Sequence, residues 1–157
     1  MSFKFSDENI KKIIELKGRY PSPKALTLPL LWLAQEQEGY ISIDAMEAIS
    51  THTTRPTMEI YKTATFYTMF HLEEIGEYHI QLCKTLSCSL CGKGEILEYL
   101  KEILQIDIGE TTDDGKFTLS EVECLGSCGT APMMQINSTN HEELTTQKID
   151  EILEELR

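Results

Sequence analysis

YHIQLCKTLSCSLCGKGEILEYLKEIL, residues 78–104, decides how this chain is read. Its first six residues read as a strand, and its last thirteen repeat apolar residues at helical spacing. Between them lie three cysteines, Cys83, Cys88 and Cys91, and the two others, Cys124 and Cys128, stand in CLGSC at 124–128. Five clustered cysteines fit neither a set of paired disulfides nor a plain four-ligand metal site. In a chain read as cytoplasmic, such clusters point to metal or redox chemistry rather than to a disulfide framework.

Working outward, four helical segments precede Gly76. Ser6 caps the first, over about 7–18, with Ile10, Ile13, Ile14 and the stem of Lys17 on one face. KALTLPLLWLAQEQEG forms a second, and Pro29 makes it start near Thr27 or kink there. A third follows Ser42, and Pro56 opens a fourth in PTMEIYKTATFYTMF. Beyond Gly76, strands are expected at 78–83, in FTLSEVEC and in PMMQIN (132–137), with a helix at 92–104 between the first two. TDDGKF (112–117) and NSTN read as turns, HEEL as a short fourth strand. Thr145 or Thr146 caps a last helix ending near Leu156. A β-α-β unit followed by a hairpin and a helix is the layout of a thioredoxin-like α/β sandwich. The expected class is therefore α+β, with a helical bundle over 1–75 and a thioredoxin-like domain over 76–157.

Composition removes several functions. The 157 residues include 26 acidic and 14 basic ones, for a net charge of −12. Binding to nucleic-acid phosphates needs clustered cations, so no nucleic-acid partner is expected. The longest apolar run, LTLPLLWLA, is too short to span a bilayer, so no direct membrane insertion is expected. MSFKFSDENI lacks the apolar core of a secretory signal. No GxGxxG follows a strand and no Walker loop occurs, so neither NADH nor flavin is expected on this chain alone.

Three chemistries compete for the cysteines. A dithiol redox site at Cys88-Ser-Leu-Cys91 leaves Cys83, Cys124 and Cys128 unexplained. Structural zinc would pair Cys88–Cys91 with Cys124–Cys128 and leave Cys83 free. An iron–sulfur cluster has two ligand sets. One is the plant-type run Cys83-x4-Cys88-x2-Cys91 with one distant cysteine; the other is the two pairs Cys83-x4-Cys88 and Cys124-x3-Cys128. Spacing alone does not choose. The helical GKGEILEYLKEIL that follows is foreign to the β-grasp fold of plant-type ferredoxins.

VECLGSCGTAPMMQIN (122–137), TATFYTMF (63–70) and YPSPKALTLPLLWLAQEQEGYIS (20–42) resemble, in order, the small iron–sulfur subunits of the flavoprotein fraction of NADH:quinone oxidoreductases, respiratory complex I. The likeness runs from about 10 to 156. It implies one [2Fe–2S] cluster bound by Cys83, Cys88, Cys124 and Cys128, with Cys91 a bystander and a small buried thiol. It implies single-electron transfer from FMN, with FMN and NADH held by a larger partner subunit. The other iron–sulfur subunits of the peripheral arm are further partners, and the location is cytoplasmic, peripheral to the inner membrane. Equivalent subunits serve NAD-linked hydrogenases and formate dehydrogenases, and a zinc-binding structural module without electron transfer is the alternative of another class.

Glycines around both cysteine groups let backbone amides point at sulfur, and the acidity of the chain predicts a low potential. The remaining features read as ordinary structure. His52, His71, His79 and His141 share no motif with a cysteine pair. FYTMF (66–70) is expected in the core or at a subunit contact, and Trp32 in the bundle core, with a partner surface as its alternative. IDEILEELR is a solvated helix face. Pro132, directly before a strand, is the candidate for the cis proline of thioredoxin-like folds, facing the cluster.

Overall fold

The computed structural model describes residues 3–156. The chain divides into two compact units, Met1–Glu74 and Ile75–Arg157.

The first unit is helical. α1 (Asp7–Arg19) starts at Ser6, whose hydroxyl accepts the Asn9 N–H, and carries Asp7 and Glu8 in its first turn with Lys17 and Arg19 in its last. Those charges complement the helix dipole at both ends. Ile13 is buried, but Ile14, expected beside it, is 65% exposed, because the buried stripe is narrower than the apolar run. A 3-10 turn at Pro23–Leu26 leads into α2 (Thr27–Glu38). Pro29 lies in the first turn, where its missing N–H breaks no helical bond, so α2 begins at Thr27. α2 buries Leu30, Leu31, Leu33 and Ala34, and ends at Gly39 with φ +83°.

α3 (Ile43–Thr53) is capped by Ser42, and α4 spans Thr57–Phe66. α4 was expected to run to Phe70 and stops one turn short. The buried Gln35 amide explains the change: its Nε2 donates to the Met69 carbonyl at 2.9 Å and its Oε1 accepts the His71 N–H at 2.7 Å. These bonds satisfy the chain in a non-helical path. Only Phe70 of FYTMF is buried; Phe66 is 77% exposed, and Tyr67 and Met69 are exposed too. Trp32 is likewise exposed rather than core, lying edge-on to Phe70 with ring centroids 5.5 Å apart.

The second unit is a four-stranded mixed sheet in the order β2-β1-β3-β4. β1 (Tyr78–Cys83) pairs in parallel with β2 (Phe117–Val122), and β3 (Met134–Ile136) lies antiparallel to both β1 and β4 (Thr139–His141). α6 (Lys93–Leu104) makes the crossover that parallel neighbours require. It buries Ile96, Leu97, Leu100 and Leu104 in a core shared with Ile80, Leu82, Leu119, Met134 and Ile136. α7 (Thr146–Leu156) adds Ile149, Ile152 and Leu153, with its acidic residues outward. Thr145 caps it, accepting the Lys148 N–H at 3.2 Å. The α+β class with a helical N-terminus is confirmed. β4 begins two residues before its expected place: Asn137, at φ +52°, supports a two-residue turn, so Thr139 pairs back to Ile136. A short helix, α5 (Leu86–Leu90), was not foreseen.

Gly76 sits where the sheet unit begins. Its N–H donates to Thr118 Oγ1 at 2.6 Å, and a Cβ there would lie 2.9 Å from the carbonyl carbon and oxygen of Lys116. Backbone cannot yield as a side chain can, so Gly76→Ala should cost about 1–3 kcal/mol of overpacking. Urea denaturation followed by circular dichroism should show the loss; an unchanged midpoint would contradict this contact.

Candidate functional site

The site is built at the ends of β1 and β2. Cys83 is the last residue of β1, 1% exposed, with its N–H on the Met133 carbonyl. Thr85, in extended conformation, opens α5, and that single turn returns Cys88 to the same buried pocket, also 1% exposed. Cys83, Cys88 and Met133 form a small core of their own, with Leu125 and Ala131 against it. The x4 spacing is thus the length of one extended residue plus one helical turn.

The second cysteine loop arrives by strand register. Cys83 faces Val122 across the parallel pair, and the Lys84 N–H donates to the Val122 carbonyl at 2.9 Å. The chain therefore leaves β2 beside the end of β1. In CLGSC, Gly126 takes φ +92°, a conformation that a Cβ would strain, and its N–H reaches back to Cys124 Sγ at 3.4 Å. Cys124 Sγ and Cys128 Sγ lie 3.4 Å apart as free thiols, both exposed. A 3-10 turn at Cys128–Thr130 follows, then a cis Ala131–Pro132 bond, with Met133 leading into β3.

The four sulfurs sense one another. Burial pushes the Cys83 thiol up, yet the Thr85 hydroxyl at 3.2 Å, the Thr85 N–H, the Cys88 thiol and the Leu125 N–H all favour its thiolate, and it ends below its ordinary value. Cys88 is raised, by burial first and then by donating to Cys83, against the Met133 N–H. Cys124 is lowered, mainly by the Gly126 N–H and then by the Cys128 thiol, while Cys128 is raised by donating to Cys124. The Cys83 charge also acts on both members of the other pair.

This donor set fits a [2Fe–2S] cluster. Among the described residues no group of three or more His, Cys, Asp or Glu side chains converges on one ion. The thiols stand two by two, the number each iron of a [2Fe–2S] rhomb takes from protein. Backbone N–H groups from Thr85, Leu125, Met133 and Gly126 are directed at sulfur, as an anionic group requires. Cys91 lies outside this arrangement. It ends α5, its N–H on the Ser87 carbonyl, with its thiol exposed rather than buried as expected, because the turn presents it to solvent while placing Cys88 inside. The histidines are engaged elsewhere: His79 Nε2 lies 2.5 Å from Ser120 Oγ, and His52 packs edge-on to Phe5.

Several supporting residues were not singled out from sequence. Lys93 and Glu121 form an ion pair with side chains only 15% and 20% exposed, tying the first turn of α6 to the end of β2. Both cysteine loops are thereby joined at their bases. The pair had one sequence signal, a lysine at a helix N-terminus, where the dipole disfavours cations. Ser127 donates to Glu142 Oε1 at 2.6 Å, anchoring the CLGSC loop to the segment after β4.

Burial sets a prediction for the cluster-free chain. A brief pulse of iodoacetamide, read by peptide mass spectrometry, should label Cys91, Cys124 and Cys128, and Cys83 and Cys88 far more slowly. Equal labelling of Cys88 and Cys91 would contradict the buried pocket.

Comparison with known proteins matches the whole of this architecture. The family model described as thioredoxin-like [2Fe-2S] ferredoxin matches residues 10–157. A Rickettsia conorii protein named as a subunit of NADH-quinone oxidoreductase is 41% identical over 159 aligned residues, 99% of this chain and 95% of that protein. NADH dehydrogenase [ubiquinone] flavoprotein 2, mitochondrial, of Dictyostelium discoideum is 43% identical over 99% of this chain, which spans 64% of its length. Among solved structures, an NAD+-reducing [NiFe]-hydrogenase matches with a TM-score of 0.72 at 24% identity. That match covers 81% of this chain and 22% of the hydrogenase chain, and it speaks to the fold alone. With the family model spanning nearly the full length and the cysteine pairs folded as described, the chain belongs to the thioredoxin-like [2Fe-2S] ferredoxin family.

Proposed function

We propose that this chain is the iron–sulfur electron-transfer subunit of an NADH:quinone oxidoreductase, with one [2Fe–2S] cluster held by Cys83, Cys88, Cys124 and Cys128. The observation that carries this reading is the meeting of two thiol pairs at the ends of β1 and β2, with amide donors aimed at sulfur. When bound, the cluster takes up and passes on one electron at a time. The chain's own residues do the rest. Cys83 and Cys88 keep water from one side of the group, while Cys124 and Cys128 leave the other side at the surface, where an electron can be exchanged. The Thr85 hydroxyl and the amides of Thr85, Leu125, Met133 and Gly126 stabilise the negative charge that grows on reduction.

NADH delivers a hydride, which a flavin must split into single electrons. The FMN and NADH sites belong to a larger partner subunit, and other iron–sulfur subunits of the same complex are further partners. Relatives of nearly equal length that are named as NADH-quinone oxidoreductase subunits support a quinone-reducing enzyme over a hydrogenase. Among the described residues no helix is long and apolar enough to cross a membrane. The chain reaches the membrane through its complex.

Two outcomes check the reading. Purified chain should be red-brown and give an EPR signal on dithionite reduction; serine at Cys83, Cys88, Cys124 or Cys128 should abolish or alter that signal, and Cys91→Ser should leave it intact. Colourless protein with stoichiometric zinc, or loss of the signal in Cys91→Ser alone, would sink the assignment. Thr85→Val should retain the cluster and lower its midpoint potential, because the reduced form loses a donor. One hydrogen bond is worth about 0.5–1.5 kcal/mol, which for one electron is roughly 20–60 mV. A potential that rises, or one well above the hydrogen electrode in the unaltered protein, would contradict the electrostatic account.

A further inference from the structure

The helical unit holds a feature that the cluster chemistry does not use. An open groove of about 510 Å³ runs beside α4, bordered by Lys24, Arg55, Lys62, Thr63, Phe66 and Tyr67, with no carboxylate in its lining. The whole chain has 26 acidic and only 14 basic residues, so three cations at one groove are a marked local reversal of charge. Neither the Lys24 nor the Lys62 ammonium has an ion pair among the described residues. Arg55 is held by Glu59, its Nη1 3.2 Å from Oε2, while its Nε is buried with no hydrogen-bond acceptor. The Lys24 and Lys62 ammonium groups are thus open to an acceptor, and the Arg55 guanidinium stands with them at the groove, already held by Glu59.

The walls are apolar and ordered. Phe66 is 77% exposed, and Tyr67 holds its ring edge-on at a centroid distance of 5.0 Å. Met58, 63% exposed, stands one and two turns before Lys62 and Phe66, so the row continues past the groove along α4. Tyr61, also exposed, lies on the same helix. Aromatic residues, methionine and arginine are the types enriched at protein–protein interfaces. A groove closed around a small molecule would not need this open continuation.

We infer that this groove docks an acidic segment of a partner polypeptide, its carboxylates on Lys24, Arg55 and Lys62 and an apolar side chain against Phe66 and Tyr67. The inference rests on the reading of the chain as one component of a larger complex, and its natural partner there is the flavin-binding subunit. Charge complementarity selects the occupant: a second copy of this strongly acidic chain is repelled as a whole, whereas an acidic segment on a separate protein meets a groove where cations prevail. Docking through such a face orients the chain by its helical unit, leaving the cysteine loops of the other unit free of that task.

Calorimetric titration of the cluster-loaded full chain with the flavin-binding subunit, at low and high salt, tests this. Lys24→Glu/Lys62→Glu should weaken binding at least roughly tenfold and remove most of its salt dependence, and Phe66→Ala should weaken it comparably while the salt dependence remains. The visible spectrum of the cluster should stay unchanged in both. Binding within twofold of the unaltered chain in both variants overturns the groove assignment and leaves the electron-transfer reading intact. No binding by the unaltered chain overturns both. Inorganic pyrophosphate binding to the chain alone, lost in Lys24→Glu/Lys62→Glu, would give the groove to a small anion and overturn the polypeptide occupant.

Discussion

The parallel pairing of β1 with β2 is the constraint from which the site follows. Cysteines 83 and 124 are far apart in sequence, and nothing in either loop draws them together. The register does: with Cys83 opposite Val122, both chains leave the sheet at the same edge and at the same level. Parallel strands demand a long crossover, and α6 supplies it with a face that seals the core beneath. β3 then pairs with β1 on its other side, bringing Met133 up against Cys83 and Cys88. One sheet edge thus gathers three separate segments of chain.

Electrostatics completes what topology begins. An acidic chain holding an anionic group would repel it unless local dipoles outweigh the net charge. Here the compensation is short-range: the Gly126 amide lies 3.4 Å from Cys124 Sγ and the Thr85 hydroxyl 3.2 Å from Cys83 Sγ, and the amides of Thr85, Leu125 and Met133 also favour thiolate, whereas more distant charges are screened by solvent. The Lys93–Glu121 pair brings no net charge, but it braces the base of both loops in a setting where losing either partner strands a half-buried charge. Donor placement and loop rigidity are therefore one problem solved by the same segments.

Much of this was legible in the residues. The change of period within 78–104 marked β1 and α6 to within a residue: α6 buries one regular face, while β1, interior to the sheet, buries residues on both of its faces. Ser6, Ser42 and Thr145 announced helix starts through side-chain oxygens that accept backbone N–H groups. What stayed hidden depends on tertiary partners. α5 is too short to show a period, and it forms because Cys88 finds a buried pocket. The early end of α4 depends on Gln35, more than thirty residues away in sequence. The exposure of Cys91, Trp32 and Phe66 follows from turns and neighbours, whereas composition alone placed such residues inside. The proposed four-cysteine set came from family likeness, because spacing left two ligand sets open; the strand register now adds a physical reason for pairing Cys83 and Cys88 with the CLGSC loop.

The most direct measurement is the proton NMR spectrum of the reduced, cluster-loaded chain, with its hyperfine-shifted cysteine β-proton resonances assigned to individual residues. Only a cysteine whose sulfur is bonded to iron carries strong shifts of this kind. The account predicts such resonances from Cys83, Cys88, Cys124 and Cys128, with Cys91 in the ordinary diamagnetic range. A hyperfine-shifted Cys91 in place of any of the four would contradict it.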